Sequence, residues 1–175
     1  MRVLAIDPGF ERLGIALIDQ ENGKEKLVFS DCWQTSAKLP FEERLRQLGE
    51  KLDQSLKKHQ PDIFALEKLF FTTNQKTASK VSEVRGMLIY VAAARRVSIT
   101  EFTPLQVKSA ICGYGKATKN QVMTMVPKLI KLEKRPKHDD EFDAIAIGLT
   151  ALAQTKFSLK QKAGAPDGHQ QGSGL

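Results

Sequence analysis

The sequence predicts a single mixed α/β domain, in which a five-stranded sheet opens as an antiparallel meander, continues with parallel strands and is flanked by helices. Two short apolar runs, 3–6 and 63–66, are each followed by an acidic residue, and runs of this length are typical of buried strands. Between them, residues 40–60 repeat apolar side chains at helical spacing. A strand, a helix and a second strand in this order normally give parallel pairing with a right-handed crossover.

The first part of the chain is predicted to form the meander. Residues 2–7 are the first strand, and 13–19 and 26–33 are the second and third. Asn22 and Gly23 lie between the last two strands, and this dipeptide favours the tight two-residue turn of a β-hairpin. The three strands are therefore expected to be neighbours in the sheet, each antiparallel to the next.

Helices and strands alternate after the meander. In order, the pattern predicts a helix over 40–60, a strand over 63–67, a helix over 75–96, a strand over 97–102 and helices over 104–112, 118–132 and 140–154. Pro127 lies inside the penultimate helix, where a proline removes a hydrogen bond and kinks the backbone. Residues 157–175 are rich in Gly, Gln, Lys and Pro, so residues 1–156 are predicted as the folded domain and the rest as a disordered tail.

Composition and charge narrow the class of protein without deciding it. The 175 residues carry a formal net charge of +7, which attracts nucleic acid or an anionic membrane, although a basic surface also fits a protein with neither partner. The first apolar run is far too short to span a bilayer. Cys32 and Cys112 are too few for a disulfide scaffold, and nothing before them resembles a signal peptide. A cytoplasmic protein with reduced thiols is the resulting prediction.

Four acidic residues carry most of the functional information in the chain. Asp7 and Glu67 end two predicted core strands, a position that contributes little to packing. Asp140 and Asp143 lie three residues apart at the start of an apolar helix, so they share one helix face. If the strand ends and the helix start converge, the four carboxylates form a cluster that is unstable without cations. Hard divalent ions prefer such oxygen ligands.

Such a cluster suits the hydrolysis of phosphodiester bonds. Two divalent ions can activate the attacking water and stabilise the leaving oxygen. Asp7 is predicted to bridge both ions because a central strand holds it most rigidly. Glu67 is predicted to hold one ion, and Asp140 and Asp143 the other. Each acid also has a structural alternative, namely a turn at Asp7, a solvated strand end at Glu67 and capping of the last helix by its first acids.

Six segments of the chain share their order and spacing with one known family. They are Ile6 to Gly9 with Gly14, Pro61 to Glu67 with Phe70, Phe71 and Asn74, the helix residues Ala78, Lys80, Arg85 and Gly86, residues 103–108, residues 115–122 and residues 140–146. Through these segments, about residues 1–154 resemble the RuvC-type Holliday-junction resolvases, which are bacterial endonucleases of the RNase H-like superfamily. The resemblance implies an RNase H-like sheet.

The resemblance also implies an activity and its partners. It implies a homodimer that makes paired symmetric nicks in a four-way DNA junction and leaves 5′-phosphate and 3′-hydroxyl ends. It implies two Mg²⁺ ions per subunit, for which Mn²⁺ can substitute, and cooperation with the RuvA and RuvB branch-migration proteins. The family's four acids fall on Asp7, Glu67, Asp140 and Asp143. The third is left open, because some members carry His there and Asp139 is adjacent in this chain.

A second group of residues is predicted to contact DNA. The family's junction-opening aromatic falls on Phe70, whose ring can stack on bases unpaired at the crossover, whereas Phe71 is expected in the core. The family's basic residues for junction binding and cleavage fall on Lys108 and Lys119. Further basic candidates follow from their position near the acids: Lys76, Lys80 and Arg85 on the predicted second helix, and Lys116 in a later loop.

Two other functions are compatible with the same residues. A different RNase H-like nuclease, such as an RNA-directed relative of the YqgF type, would act on single strands or hybrids without an obligate dimer. A basic junction-binding protein whose acids are structural would bind without cutting. An actin-like sugar or acetate kinase shares the Asp-x-Gly opening, but 175 residues lack its second phosphate loop and its Gly-rich adenosine segment.

Overall fold

The computed structural model describes residues 1–68 and 75–163, apart from the side chains of 75–77 and 156–163. The elements of this part of the chain are, in order, β1 (Arg2–Asp7), β2 (Arg12–Glu21), β3 (Lys24–Gln34), α1 (Phe41–His59), β4 (Ile63–Glu67), α2 (Gln75–Ala94), β5 (Ser98–Phe102), α3 (Pro104–Cys112), α4 (Lys119–Leu129) and α5 (Asp139–Ala163). The predicted order of strands and helices is confirmed. Within the described ranges, no helix combines the length and the apolar character needed to cross a membrane.

The strands of the described chain form one mixed sheet in the order β3-β2-β1-β4-β5. β1 and β3 each run antiparallel to β2, whereas β4 runs parallel to both β1 and β5. The parallel pairs result from the crossover helices α1 and α2, which return the chain to the same edge of the sheet. The predicted five-stranded sheet, antiparallel at first and parallel afterwards, is confirmed. β1 is the central strand of the sheet, and Asp7 is its last residue. Asp7 therefore lies in the middle of the sheet edge that is formed by the ends of the strands, not by an edge strand.

The β2–β3 hairpin is longer than its apolar pattern predicts. Asn22 and Gly23 form the turn with positive φ angles of 50° and 77°, as the predicted two-residue turn requires. Backbone pairing continues to Glu21 and Lys24 beside this turn. Hydrogen bonding along a hairpin passes through polar residues as well, so the apolar pattern marks only the part of each strand that faces a core.

The sheet separates two hydrophobic cores, because successive side chains of a strand point to opposite faces. Leu4 and Ile6 of β1 face the core that contains side chains of α1 and α2. Val3 and Ala5 face the core that contains side chains of α3, α4 and α5. The described chain therefore has three layers, with the sheet between two helical layers.

Helix α5 packs the apolar first part of its length across the sheet. A Cβ atom at Gly148 would lie 2.8 Å from Cδ1 of Ile18, so a glycine allows the helix to approach β2 closely. The helix continues to Ala163, beyond the predicted end at 154. Residues 157–163 of the predicted tail thus belong to α5, and they are rich in the helix formers Leu, Lys, Gln and Ala. Residues 164–175 lie outside the described part, and the tail stays a prediction there.

Helix α4 begins where the sequence predicts it to begin, but it ends earlier than predicted. The Thr118 side chain accepts a hydrogen bond from the backbone N–H of Gln121, so Thr118 is the N-cap of this helix. The helix ends at Leu129 rather than near residue 132. Pro127 lies in the last turn of the helix, where it cannot donate the hydrogen bond that a backbone N–H would make to the carbonyl of Met123, and the helix ends two residues later.

Candidate active site

Asp7 and Glu67 lie on neighbouring strands at one edge of the sheet. In the parallel pairing of β1 and β4, Ile6 lies opposite Leu66, and each acid is the next residue on its strand. Both acidic residues are partly buried. The two carboxylates therefore leave the sheet from adjacent strand ends, as predicted.

Helix α5 brings Asp140 and Asp143 to the same edge. Across the antiparallel pairing of β1 and β2, Asp7 lies opposite Gly14. A Cβ atom at Gly14 would lie 1.9 Å from the backbone oxygen of Asp140, so any larger residue would displace the start of the helix. Gly14 thus allows the first turn of α5 to lie directly on β2, beside Asp7. Asp143 follows on the same helix face.

The pKa values of these acids show that their carboxylates interact electrostatically with one another. Burial raises the pKa of Asp7 to about 8, and the charges of Asp143, Glu67 and Asp140 add to this effect. Burial also raises the pKa of Glu67 to about 7, again with a contribution from Asp143. The pKa of Asp143 is likewise raised by burial. The structure therefore brings the four predicted acids close enough to repel one another.

Lys119 lies among these acids as a counter-ion. Its Nζ is 2.8 Å from Oδ2 of Asp139 and 2.9 Å from Oδ2 of Asp143. Burial lowers the pKa of Lys119, but the hydrogen bonds to these two acids outweigh burial and raise the pKa above its ordinary value. Lys119 therefore stays charged and offsets part of the repulsion between the carboxylates.

Arg12 is a second counter-ion, and it was not among the predicted site residues. Its Nε is 3.3 Å from Oδ2 of Asp140, and its Nη2 is 3.9 Å from Oδ1 of Asp139. Residues two apart on a strand share one face of the sheet. Gly14 lies against the start of α5, and Arg12 precedes it by two residues. The Arg12 side chain therefore lies on the same face of the sheet as the start of this helix. This spacing is the signal that could have identified it.

The structure separates Asp139 from Asp140. Asp139 is held by Lys119, whose hydrogen bond lowers the pKa of this carboxylate below its ordinary value. Asp140 is among the charges that raise the pKa of Asp7. It also lies 3.9 Å from Sγ of Cys32, a weak hydrogen-bond donor. This placement favours Asp140 over Asp139 as the third acid of the cluster.

The four acids converge without forming a finished metal site. Within residues 1–68 and 75–163, no group of three or more Asp, Glu, His or Cys side chains is arranged so that it could hold a metal ion. Their donor chemistry nevertheless fits a hard divalent cation, because carboxylate oxygens are its preferred ligands and their mutual repulsion falls when a cation binds. Since Lys119 already pairs with Asp143, a divalent ion would compete with this lysine.

Besides Lys119, two of the predicted DNA-binding residues use their side chains in contacts within the protein. Nζ of Lys80 lies 5.2 Å from the ring centroid of Phe10, although Lys80 is also exposed. Arg85 is partly buried and forms an ion pair with Glu101. The geometry therefore gives Arg85 a structural contact, while the predicted contact of either residue with DNA stays a prediction.

The other predicted basic residues lie nearer to the acids or on the open surface. Burial raises the pKa of Glu67, and the nearby charges of Lys108 and Lys119 oppose this rise. Lys116 is exposed between α3 and α4. Three further predicted residues lie outside the described part of the chain: Phe70, Phe71 and the side chain of Lys76.

The sequence of this chain also matches a known protein family. Residues 3–151 match the family described as crossover junction endodeoxyribonuclease RuvC. The chain belongs to the RuvC family. The RuvC protein of Alkaliphilus metalliredigens is 42% identical to it over 149 residues, which are 85% of this chain and 91% of the relative. That of Caldicellulosiruptor saccharolyticus is 40% identical over 163 residues, which are 93% and 98% of the two chains.

Solved structures agree with this RuvC membership. T. thermophilus RuvC in complex with Holliday junction substrate has a TM-score of 0.84 at 30% sequence identity, covering 90% of this chain and 96% of that chain. The yeast mitochondrial Holliday junction resolvase Ydc2 has a TM-score of 0.65 at 15% identity, covering 93% and 80% of the two chains, which shows a shared fold. The predicted RuvC-type family and the predicted RNase H-like sheet are therefore confirmed.

Proposed function

We propose that this RuvC-family protein is an endonuclease that resolves four-way DNA junctions by paired symmetric nicks, in recombination and DNA repair. The observation that carries the proposal is the convergence of four carboxylates at one edge of the sheet, in a chain of net charge +7. A basic protein attracts DNA, and clustered carboxylates bind the divalent ions that phosphodiester hydrolysis uses. The products are nicked duplexes with 5′-phosphate and 3′-hydroxyl ends.

The cluster is proposed to hold two Mg²⁺ ions per subunit, for which Mn²⁺ can substitute. Bound divalent ions activate a water molecule and stabilise the leaving oxygen of the phosphodiester. The charges of Glu67 on β4 and Asp140 on α5 both act on Asp7, so Asp7 would be the residue most suited to hold both ions. Lys119 is expected to leave Asp143 when a cation binds, which makes its ammonium group available to a DNA phosphate.

The substrate is proposed to lie along the edge where β1 and β4 end. Three lysines would contact its phosphates: Lys108 on α3, Lys116 in the next loop and Lys119 on α4. Contacts with phosphates position a junction without reading its base sequence. The predicted contacts of Lys76 and Lys80 would extend this surface along α2. Phe70, which follows Glu67 by three residues, is proposed to stack on bases unpaired at the crossover.

A four-way junction assay tests this function directly. Incubation of the protein with a mobile junction and Mg²⁺ should yield ligatable nicked duplexes, and EDTA should abolish the reaction. A linear duplex of the same sequence and a single-stranded RNA should be cut at least about 100-fold more slowly, a difference of about 2.7 kcal/mol. Preferential cutting of RNA would favour an RNA-directed nuclease. Junction binding without cutting under every metal condition would favour a non-catalytic binding protein.

Phe70→Ala is expected to slow cleavage of an intact four-way junction about tenfold or more, because stacking of a base on an aromatic ring contributes about 1–3 kcal/mol. The same change should matter much less on a junction whose crossover bases are already unpaired. Single-turnover rates on the two substrates measure the difference. An equal loss on both, together with a lower melting temperature, would show that the ring belongs to the core.

A homodimer is proposed because two coordinated cuts require two active sites. Helix α2 offers the surface for it: Val84 and Leu88 face the core, whereas Tyr90 on another side of the helix is 73% exposed. Gly86 and Ala93 are also exposed on α2. Cooperation with RuvA and RuvB is proposed from the family resemblance alone.

Tyr90→Glu is expected to weaken self-association at least about tenfold, because truncating a well-buried aromatic residue of an interface typically costs about 2 kcal/mol or more. Sedimentation equilibrium at micromolar concentration measures the change. Leu129→Glu is the matched control, since Leu129 is also exposed but lies on α4, on the opposite face of the sheet. A wild-type protein that is monomeric with and without junction DNA would contradict the proposed dimer.

A further inference from the structure

Two arginines of the α1–α2 layer hold the backbone beside the acids of the cluster. Arg44 of α1 donates a hydrogen bond to the carbonyl of Phe10, three residues after Asp7. Arg85 of α2 donates to the carbonyl of Glu67. We propose that both arginines are positioning residues, which fix the exits of β1 and β4 and thereby the spacing of the metal-binding acids. This inference rests on the proposed metal-dependent function.

Arg44 is nearly fully buried, with 6% of its surface exposed. Its Nη2 donates to the oxygen of Phe10 at 2.7 Å, and its Nε donates to Oγ1 of Thr35 at 2.8 Å. The Thr35 hydroxyl donates in turn to the same Phe10 oxygen at 2.8 Å. The three groups therefore form a closed ring of hydrogen bonds around one backbone oxygen. Such a ring needs two donors at a fixed angle, which a guanidinium supplies and an ammonium group does not.

The ring of Phe10 anchors the same loop between the two helices. The guanidinium carbon of Arg44 lies 5.1 Å from its centroid, and Nζ of Lys80 lies 5.2 Å from it. The loop is also tightly folded, since a Cβ atom at Gly9 would lie 2.0 Å from the backbone oxygen of Arg12. The chain that leaves β1 is thus held by its own turn, by α1 and by α2. Both cations favour the face of the aromatic ring electrostatically.

Arg85 holds the exit of β4 in a similar way. Its Nε donates to the backbone oxygen of Glu67 at 3.1 Å, and its guanidinium pairs with Glu101 on the neighbouring strand β5. The backbone N–H of Lys68 donates to the oxygen of Phe102 at 2.7 Å. The backbone at Glu67 is therefore tied to α2, and the next residue is tied to β5. This use of the guanidinium differs from the predicted contact with DNA.

The acids require such support because they repel one another. Repulsion between carboxylates pushes the exits of β1 and β4 apart, whereas a metal site needs its ligands within about 0.5 Å of their productive positions. Hydrogen bonds to the carbonyls at these exits resist the displacement. Removal of a group that orients a metal ligand typically lowers metal affinity about 10- to 100-fold.

Thermal stabilisation of the full chain by Mg²⁺ tests the inference without relying on activity. Arg44→Lys and Arg85→Gln are expected to raise the half-saturating Mg²⁺ concentration about tenfold or more. Arg46→Gln in α1 and Arg95→Gln directly after α2 are the matched controls, because these exposed arginines pair with surface acids that are not members of the cluster. The controls should leave the Mg²⁺ requirement unchanged. Cleavage by the two positioning variants should recover towards the wild-type rate at saturating Mg²⁺.

Junction binding in EDTA separates positioning from direct contact with DNA. Both positioning variants should bind the junction within about twofold of wild type. Weaker binding with a smaller salt dependence in Arg85→Gln, at an unchanged Mg²⁺ requirement, would make Arg85 a phosphate contact and overturn its assignment. An unchanged Mg²⁺ requirement in a folded Arg44→Lys variant would overturn the assignment of Arg44.

Thr35→Val provides a second route if Arg44→Lys does not fold. It removes the hydroxyl from the hydrogen-bond ring and keeps the buried arginine, so it should raise the Mg²⁺ requirement by a smaller factor. An unchanged requirement in this variant would also count against the inference. A wild-type protein that is stabilised by Mg²⁺ but cuts no junction would refute the proposed function, while the comparison of Mg²⁺ requirements would still decide the role of both arginines.

Discussion

Asp7→Asn is expected to abolish junction cleavage, with a rate at least about 1,000-fold below wild type, or about 4 kcal/mol of lost transition-state stabilisation. Asparagine keeps the shape of the side chain but removes the negative charge that a hard divalent ion requires. Asp7 ends the central strand, and the charges of the other three acids all act on it. Junction binding should stay intact or become stronger, because one charge that repels DNA phosphates is removed.

Single-turnover cleavage and junction binding in EDTA, measured on the same preparations, check this expectation. Glu67→Gln and Asp143→Asn should show a comparable loss of cleavage. Asp140→Asn should lose far more activity than Asp139→Asn, because the charge of Asp140 acts directly on Asp7. A greater loss for Asp139→Asn would move the third acid by one residue. Wild-type cleavage by Asp7→Asn would refute the assignment of the site.

Without divalent ions, the free energy of unfolding is expected to fall by a few kcal/mol as the pH rises from about 5 to about 8. The pKa of Asp7 in the folded protein is about 8 and that of Glu67 is about 7, both above the ordinary value of an unfolded acid. Between the unfolded and folded pKa values, the folded protein binds more protons than the unfolded chain. This contribution to stability is therefore present at low pH and lost as the pH rises through the folded pKa values.

Urea unfolding in EDTA across this pH range, for wild type and Asp7→Asn, measures the effect. The variant should show a flatter pH profile and should be more stable than wild type near pH 8. His59, whose pKa is lowered by burial, contributes the opposite slope, but it does so equally in both proteins. Millimolar Mg²⁺ at the high end of the range should stabilise wild type more than the variant. If the stability of the two proteins depended on pH in the same way, Asp7 would not be a source of the repulsion between the acids.

The elements with strong local signals were predictable to the residue. β1, β4 and α3 have the predicted bounds. In α3, Thr103 forms a capping box with Gln106, and Gly113 ends the helix with a φ of 83°. Such signals act within a few residues, so they can be identified without knowledge of the neighbouring elements. The ends of the β2–β3 hairpin and of α5 were less predictable, because backbone hydrogen bonding there continues beyond the apolar pattern.

The sequence by itself predicted the family, through its six matching segments, and the order of the elements. It also predicted the four acids as a site, because each acid lies where a strand ends or a helix begins. Only the tertiary structure decided which other residues join them. Lys119 pairs with Asp143, and Arg85 reaches the carbonyl of Glu67. These contacts depend on the order of the strands and on the packing of helices against them, which bring together residues far apart in the chain. Local periodicity shows which face of an element is buried, but it does not show which element covers that face.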